Sequence, residues 1–157
     1  MNDLPDSRIA KLVARFEAIG AARMIHLPFY RQDLAVEAVG FRALESYFAG
    51  VLITPWFINL VLLPRDPDAT PVPHDGAEVF VELPGGRQRL LANQDEELGG
   101  FLTFSVASNL FTIADQTAAR EQAQASVKRW LETPQPKAPA KPGPADRRRF
   151  LRTLMGE

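Results

Sequence analysis

Between Gly50 and Pro64 the chain runs through its most apolar stretch, Gly50-Val51-Leu52-Ile53-Thr54-Pro55-Trp56-Phe57-Ile58-Asn59-Leu60-Val61-Leu62-Leu63-Pro64, with a proline and a tryptophan at its centre. A helix that crosses a bilayer needs roughly 18 or more uninterrupted apolar residues, and this run is too short. Pro55 also lacks the N–H that an interior helical position donates. The segment therefore reads as two buried strands, about 47–53 and 57–63, joined at Thr54-Pro55-Trp56. Such a pair forms the spine of a sheet, and the other elements have to be arranged against it.

Upstream, Ile9, Leu12, Val13, Phe16 and Ile19 recur at three- and four-residue steps, which predicts an amphipathic helix over 7–24. Asp6 or Ser7 is placed to cap its start, and Gly20 and Pro28 bracket its end. Weak alternation predicts a strand over about 35–44. Prolines and aspartates make 64–76 a loop. Val79, Val81 and Leu83 then alternate with Glu78, Phe80 and Glu82, Pro84-Gly85-Gly86 turns, and Arg87 to Leu91 returns, a hairpin pattern. A further strand follows over 100–107. Asp115 is placed to cap a second helix, 115–132, that buries Ala118, Ala119, Ala123, Val127, Trp130 and Leu131. Five prolines in 133–144 mark an extended linker, and 145–155 has the apolar spacing of a short basic helix. The expected fold is α+β: a mostly antiparallel sheet of about five to six strands with both main helices on one face. Residues 1–132 form the single domain, 133–144 the linker and 145–157 the basic tail.

The search for chemistry points away from catalysis. The chain has no cysteine, which excludes disulfides, thiol catalysis and thiolate metal sites. His26 and His74 stand in no metal-ligand spacing and read as surface or half-buried side chains. There is no Gly-x-Ser-x-Gly elbow, phosphate loop or dinucleotide fingerprint; Gly85-Gly86 and Gly99-Gly100 read as turns. Asp95, Glu96 and Glu97 are adjacent, and carboxylates solvated alike do not split their pKa values as an acid/base pair must. They read as an exposed loop or as the rim of a cation-binding surface. Trp56 is either strand-end packing or an anchor on a binding face, where tryptophan is enriched. No catalytic residue, metal or cofactor is expected, and the chain reads as a binding protein rather than an enzyme. Residues 1–136 carry 12 Lys and Arg against 17 Asp and Glu, a balance of −5, whereas 137–157 balance at +4. An acidic body disfavours nucleic acid and suits a cationic partner. The start, Met1-Asn2-Asp3-Leu4-Pro5-Asp6, lacks the apolar region of a signal peptide, so the expected location is the cytoplasm.

Several short motifs follow one another along the chain: Val51-Leu52-Ile53-Thr54-Pro55-Trp56, Leu62-Leu63-Pro64, Leu83-Pro84-Gly85-Gly86, Ser108-Asn109-Leu110-Phe111, and Ala114-Asp115-Gln116 followed by Ala118 and Ala119. With these the chain resembles the HybE/HupJ family of [NiFe]-hydrogenase assembly chaperones over about 8–152. Ile53-Thr54-Pro55-Trp56 is the most specific element, and Asn109 stands where the family pattern leads one to expect Pro. The resemblance implies a cytoplasmic escort that binds hydrogenase subunit precursors before export. The main client would be the small subunit with its twin-arginine signal, with the large subunit as a further one. Some members are fused to a rubredoxin domain, whose iron a chain without cysteine does not hold. A cationic, moderately apolar signal calls for an apolar groove with an acidic rim, which nominates Trp56, Phe57, Asp95, Glu96 and Glu97 as partner-binding residues. Release must stay possible, so micromolar affinity, roughly −8 kcal/mol, is expected.

The tail itself, Asp146-Arg147-Arg148-Arg149-Phe150-Leu151-Arg152, is close to a twin-arginine motif, but only five residues follow it, too few for an export signal. It reads as a basic helix folded back on the domain, as a solvated tail, or as a mimic that places Arg147, Arg148, Phe150 and Leu151 in the chaperone's own groove. Two rival functions remain at this level. One is a small-ligand-binding or enzymatic α+β domain that uses the apolar sheet as a pocket, with Asn59, Thr103 and Ser105 as its polar groups. The other is RNA binding through the arginine run, which the acidic body disfavours.

Overall fold

The computed structural model describes residues 5–132, so the linker and the basic tail, including Arg147, Arg148, Phe150 and Leu151, lie outside the described residues. The chain forms α1 (Pro5–Ile19), a π-helical turn (Gly20–Met24), β1 (Glu37–Leu44), β2 (Tyr47–Thr54), β3 (Phe57–Pro64), β4 (Glu78–Leu83), β5 (Gly86–Asp95), β6 (Gly99–Ala107), a 3-10 turn (Leu110–Thr112) and α2 (Gln116–Leu131). The strands make one six-stranded sheet in the order β1-β2-β3-β6-β5-β4. Every neighbouring pair is antiparallel, as the hairpin patterns predict.

The spine is the β2–β3 hairpin, paired without a break from Thr54↔Phe57 to Tyr47↔Pro64 around the two-residue turn Pro55-Trp56. Side chains alternate across a pleat. Ala49, Val51 and Ile53 of β2 and Ile58, Leu60 and Leu62 of β3 enter one core. Phe48 and Leu52 of β2 and Val61 and Leu63 of β3 enter a second. Ala119, Ala123, Val127 and Leu131 of α2 complete the first core, and Leu12 of α1, with Val13 and Phe16 packed against it, completes the second. The two helices therefore cover opposite faces, which corrects the expectation that both lie on one. The reason is visible in the spine: continuous apolar runs, rather than alternating ones, belong to strands buried on both sides. Burying both faces requires a cover on each.

The sheet curls around α2, whose small residues Ala119 and Ala123 are fully buried against it. Both edges of the sheet reach the helix's C-terminal end. Arg42 of β1 lies 3.9 Å from the Glu132 carboxylate. In the β4–β5 turn Gly85 N–H donates to Trp130 O at 3.1 Å, and Arg129 donates to Gly85 O at 2.8 Å. A Cβ on Gly85 would collide with the Arg129 carbonyl, and one on Gly50 with the Phe41 ring, so glycine permits both close approaches. On the other face α1 begins at Pro5, ahead of the expected caps, and Arg8 fastens its start to β3 by donating to Pro64 O at 2.7 Å.

Leu12 carries the α1 face, being fully buried against Phe48, Leu52 and Leu63, so Leu12→Ala is expected to lower stability by about 2–5 kcal/mol in urea unfolding. Phe80→Ala, at a position 57% exposed, is expected to change it by no more than about 0.5 kcal/mol. Equal midpoint shifts for the two variants would contradict the assignment of the second core.

Candidate functional site

The β2–β3 turn is built by Thr54. Its hydroxyl is fully buried, accepts from Trp56 N–H at 3.2 Å and Phe57 N–H at 3.0 Å, and donates to Phe57 O at 3.1 Å. These bonds, with the φ fixed by Pro55, hold Trp56 at the end of the sheet. Tyr30 stacks on the indole at 5.9 Å. Phe57 meets it edge-on at 5.5 Å and Phe16 lies 6.2 Å away. Gly20, which opens the π-helical turn, sits so close that a Cβ there would lie 3.0 Å from the indole ring. Single π-helical turns inside helices are frequent at functional sites. Trp56 is half-buried and forms the floor of a groove of about 210 Å³ lined by Phe16, Glu17, Tyr30, Leu34, Val36 and Pro55 among others.

Arg31, half-buried, ties this end together. Its guanidinium donates to Leu110 O at 2.6 Å and Ile113 O at 2.8 Å, and makes two bonds to Asp33 at 2.7 and 2.8 Å. Its backbone N–H donates to Pro55 O at 2.8 Å. Asn109 closes the adjoining 3-10 turn by accepting from Phe111 N–H at 3.0 Å. Asp115 caps α2 by accepting from Ala118 N–H at 2.9 Å, and Gln116 accepts from Ala35 N–H at 2.8 Å. Arg120 makes two bonds to Glu37, at 2.8 and 3.0 Å; these, opposed by burial and helped by Gln116, hold the Glu37 carboxyl below its ordinary value. Three of the scattered sequence motifs thus converge on one end of the sheet. Phe29, 45% exposed, and Phe111, 70% exposed, add apolar surface beside it.

Trp56 and Phe57 therefore line an aromatic cluster, whereas Asp95, Glu96 and Glu97 stand at the β5–β6 turn, at the other end of the strands from Pro55-Trp56, and do not line the groove; α1 runs between the two. Consecutive residues of that helix make the link: Phe16 packs on Trp56, Phe57 and Phe101, while Arg15 reaches the carboxylates. Asp95 accepts two bonds from Arg15 Nε at 3.0 and 3.1 Å and the N–H groups of Glu97 and Leu98, both at 2.9 Å. Glu96 and Glu97 lie 3.8 Å from the same guanidinium and remain largely exposed, at 79% and 61% of their side chains. Asp95 thus fastens α1 to the β5–β6 turn, and Glu96, Glu97 and Glu17 leave the surface acidic. Arg15, Phe16, Gly20, Tyr30 and Arg31 escape sequence reasoning, because nothing in their spacing separates them from ordinary helix and loop residues.

Beyond α1 on the same side of the sheet, Asn59, Thr103 and Ser105 line an open cleft of about 450 Å³ with Glu78, Arg89 and Leu91. His26 and His74 are both exposed. Among the described residues no three His, Asp or Glu side chains gather as a metal site, and no helix is long and apolar enough to cross a membrane.

The family model for "[NiFe]-hydrogenase assembly, chaperone, HybE" matches residues 7–153. The chain is 34% identical over 152 residues to the hydrogenase expression/formation protein HupJ of Bradyrhizobium diazoefficiens, covering 93% of this chain and 88% of that one. It is 35% identical over 144 residues to the hydrogenase expression/formation protein HupT of Azotobacter chroococcum, covering 91% and 93%. The fold is similar to the solution structure of HybE from Escherichia coli, with a TM-score of 0.67 at 22% identity over 92% of this chain and 88% of that one.

Burial pushes the Asp95 carboxyl up, but the bonds from Arg15, Leu98 and Glu97 outweigh it and hold the group below its ordinary value. A depressed folded-state value contributes stability above the unfolded value of about 4 and loses it as pH falls through the folded one. Asp95→Asn is therefore expected to lower the urea midpoint at neutral pH, with the gap from the parent closing below about pH 4. A gap independent of pH would show that the ionised pair contributes nothing.

Proposed function

The chain belongs to the HybE family of [NiFe]-hydrogenase assembly chaperones, and on that footing we propose that it holds the hydrogenase small-subunit precursor by its twin-arginine signal before export. The large subunit is a further client of the same surface. The action is reversible binding in the cytoplasm, with no covalent step. The observation that carries this reading is the half-buried Trp56 at the floor of an apolar groove, joined through Arg15 and Phe16 to the exposed carboxylates of Glu96 and Glu97. The groove offers aromatic surface to the apolar middle of the signal. Glu17, Glu96 and Glu97 offer negative charge to its basic front. The rival small-ligand reading draws on the cleft at Asn59, Thr103 and Ser105. That cleft is an open sheet face, whereas ligand pockets bury most of the molecule they hold.

The expected behaviour is capture of the precursor with its signal sequence and loss of capture without it; equal co-purification of both forms would reject signal recognition. Trp56→Ala is expected to weaken binding by about 2 kcal/mol, roughly thirtyfold in Kd. Glu96→Lys with Glu97→Lys is expected to slow association and reduce its salt dependence while leaving the circular dichroism spectrum unchanged. Titration calorimetry and stopped-flow mixing read these effects. A Kd untouched by Trp56→Ala in a folded variant would move the binding surface elsewhere.

A further inference from the structure

The motif Ser108-Asn109-Leu110-Phe111 lies outside the groove, yet its backbone is held on several sides. Arg31 donates to Leu110 O and Ile113 O, Asn109 accepts from Phe111 N–H, and Ile113 N–H returns to Leu110 O at 3.0 Å. Leu110 and Ile113 enter the first core. Phe111 between them is 70% exposed, more than any other large apolar side chain among the described residues. Exposed apolar surface marks interaction sites, and a side chain fixed on a rigid turn loses little entropy when a partner covers it.

The same arginine connects this turn to the groove, because its backbone N–H donates to Pro55 O. Phe29, 45% exposed, precedes Tyr30, which stacks on Trp56. Both phenylalanines thus adjoin the wall made by Tyr30, Leu34 and Pro55, and α1 supplies the other wall through Phe16 and Glu17. The two margins differ in charge. Of the residues lining the groove Glu17 alone is charged, and it is exposed. Residues 27–30 and 108–114 carry no charge, and Arg31 behind them is paired with Asp33. Capacity differs too. A groove of about 210 Å³ falls short of the roughly 300–1,000 Å³ that encloses a drug-sized molecule. The apolar middle of an export signal runs to roughly 7–15 residues, so most of it has to lie on apolar surface beyond the groove.

We propose that Phe29 and Phe111 form a second subsite, which receives the apolar stretch that follows the basic pair of the signal. The signal then crosses the groove in one direction. Its arginines lie at Glu17 on the α1 wall, the next residues on Trp56, and the apolar continuation on Phe29 and Phe111. This rests on the twin-arginine reading above and adds to it a direction and a second anchor.

Two synthetic peptides test it against the full chain by calorimetry: a twin-arginine signal with its apolar stretch, and the same sequence cut just after the basic motif. Phe111→Ala is expected to weaken the long peptide about tenfold and the short one by less than about twofold. Trp56→Ala is expected to weaken both, and Phe80→Ala, exposed on β4, neither. A nitroxide at the far end of the long peptide is expected to broaden the amides of Phe29, Phe111 and Thr112. One placed ahead of the arginines is expected to broaden those of Ala14, Glu17 and Ala18. The exchanged pattern would reverse the direction. Equal weakening of both peptides by Phe111→Ala would leave Phe111 a structural part of its turn. Weaker capture of the precursor with unchanged affinity for the long peptide would give Phe111 to the folded subunit, and a lower sedimentation coefficient for the variant would give it to a second copy. Each of these overturns the inference and leaves the Trp56 reading standing. Unchanged affinity of Trp56→Ala for the long peptide would overturn that reading, and the inference with it.

Discussion

The hairpin of β2 and β3 has to be dry on both sides, and most of the molecule follows from that. Of its members, Val51, Leu52, Ile53, Ile58, Leu60, Leu62 and Leu63 are fully buried, each worth about 1.5–3 kcal/mol against exposure. A two-sided core needs two covers, and α1 and α2 supply them from the ends of the described chain. The covers are unlike. α2 presents alanines, so the sheet closes around it until both edges meet its C-terminal end. α1 presents Leu12 and Phe16 and leaves the outer strands open.

That asymmetry positions the candidate site. A helix laid mainly over β1 and β2 ends where the hairpin turns, so Phe16 and Gly20 arrive beside Trp56. Its guanidinium at Arg15 meanwhile reaches the β5–β6 turn. The groove is therefore held by two independent devices: the Thr54 hydroxyl that shapes the turn, and the Arg31 guanidinium that ties the turn's neighbours to the 3-10 segment. Each is a set of bonds to partly or fully buried backbone groups, where losing one partner leaves the other unsatisfied. A rigid aromatic floor with the exposed Glu17 at its margin suits a partner that is held and then released.

Much of this was legible in the chain. Pro55 in an apolar run dictated a hairpin, and Pro84-Gly85-Gly86 with its flanking alternation dictated another. Asp115 announced α2, and the ordered motifs announced the family. Hairpin patterns alone do not place the helices; the unbroken apolarity of the run from Gly50 to Pro64 does, because it implies burial on both faces. Adjacency alone does not separate the carboxylates at 95–97: Asp95 turns inward because Arg15, eighty positions away, meets it. Long-range pairs of that kind, like Arg31 with Leu110 and Ile113, leave no periodic trace, so the geometry of the groove could emerge only from the fold.

At the centre stands the idea that a basic, moderately apolar signal segment seats on Trp56. The most direct measurement is a titration of the isotope-labelled chain with a synthetic twin-arginine signal peptide, followed at the indole N–H of Trp56 against that of Trp130. Saturable movement of the Trp56 resonance together with the amides of Gly20 and Tyr30, with Trp130 unmoved, is the result predicted. A peptide that saturates the chain while leaving Trp56, Gly20 and Tyr30 unmoved would contradict it.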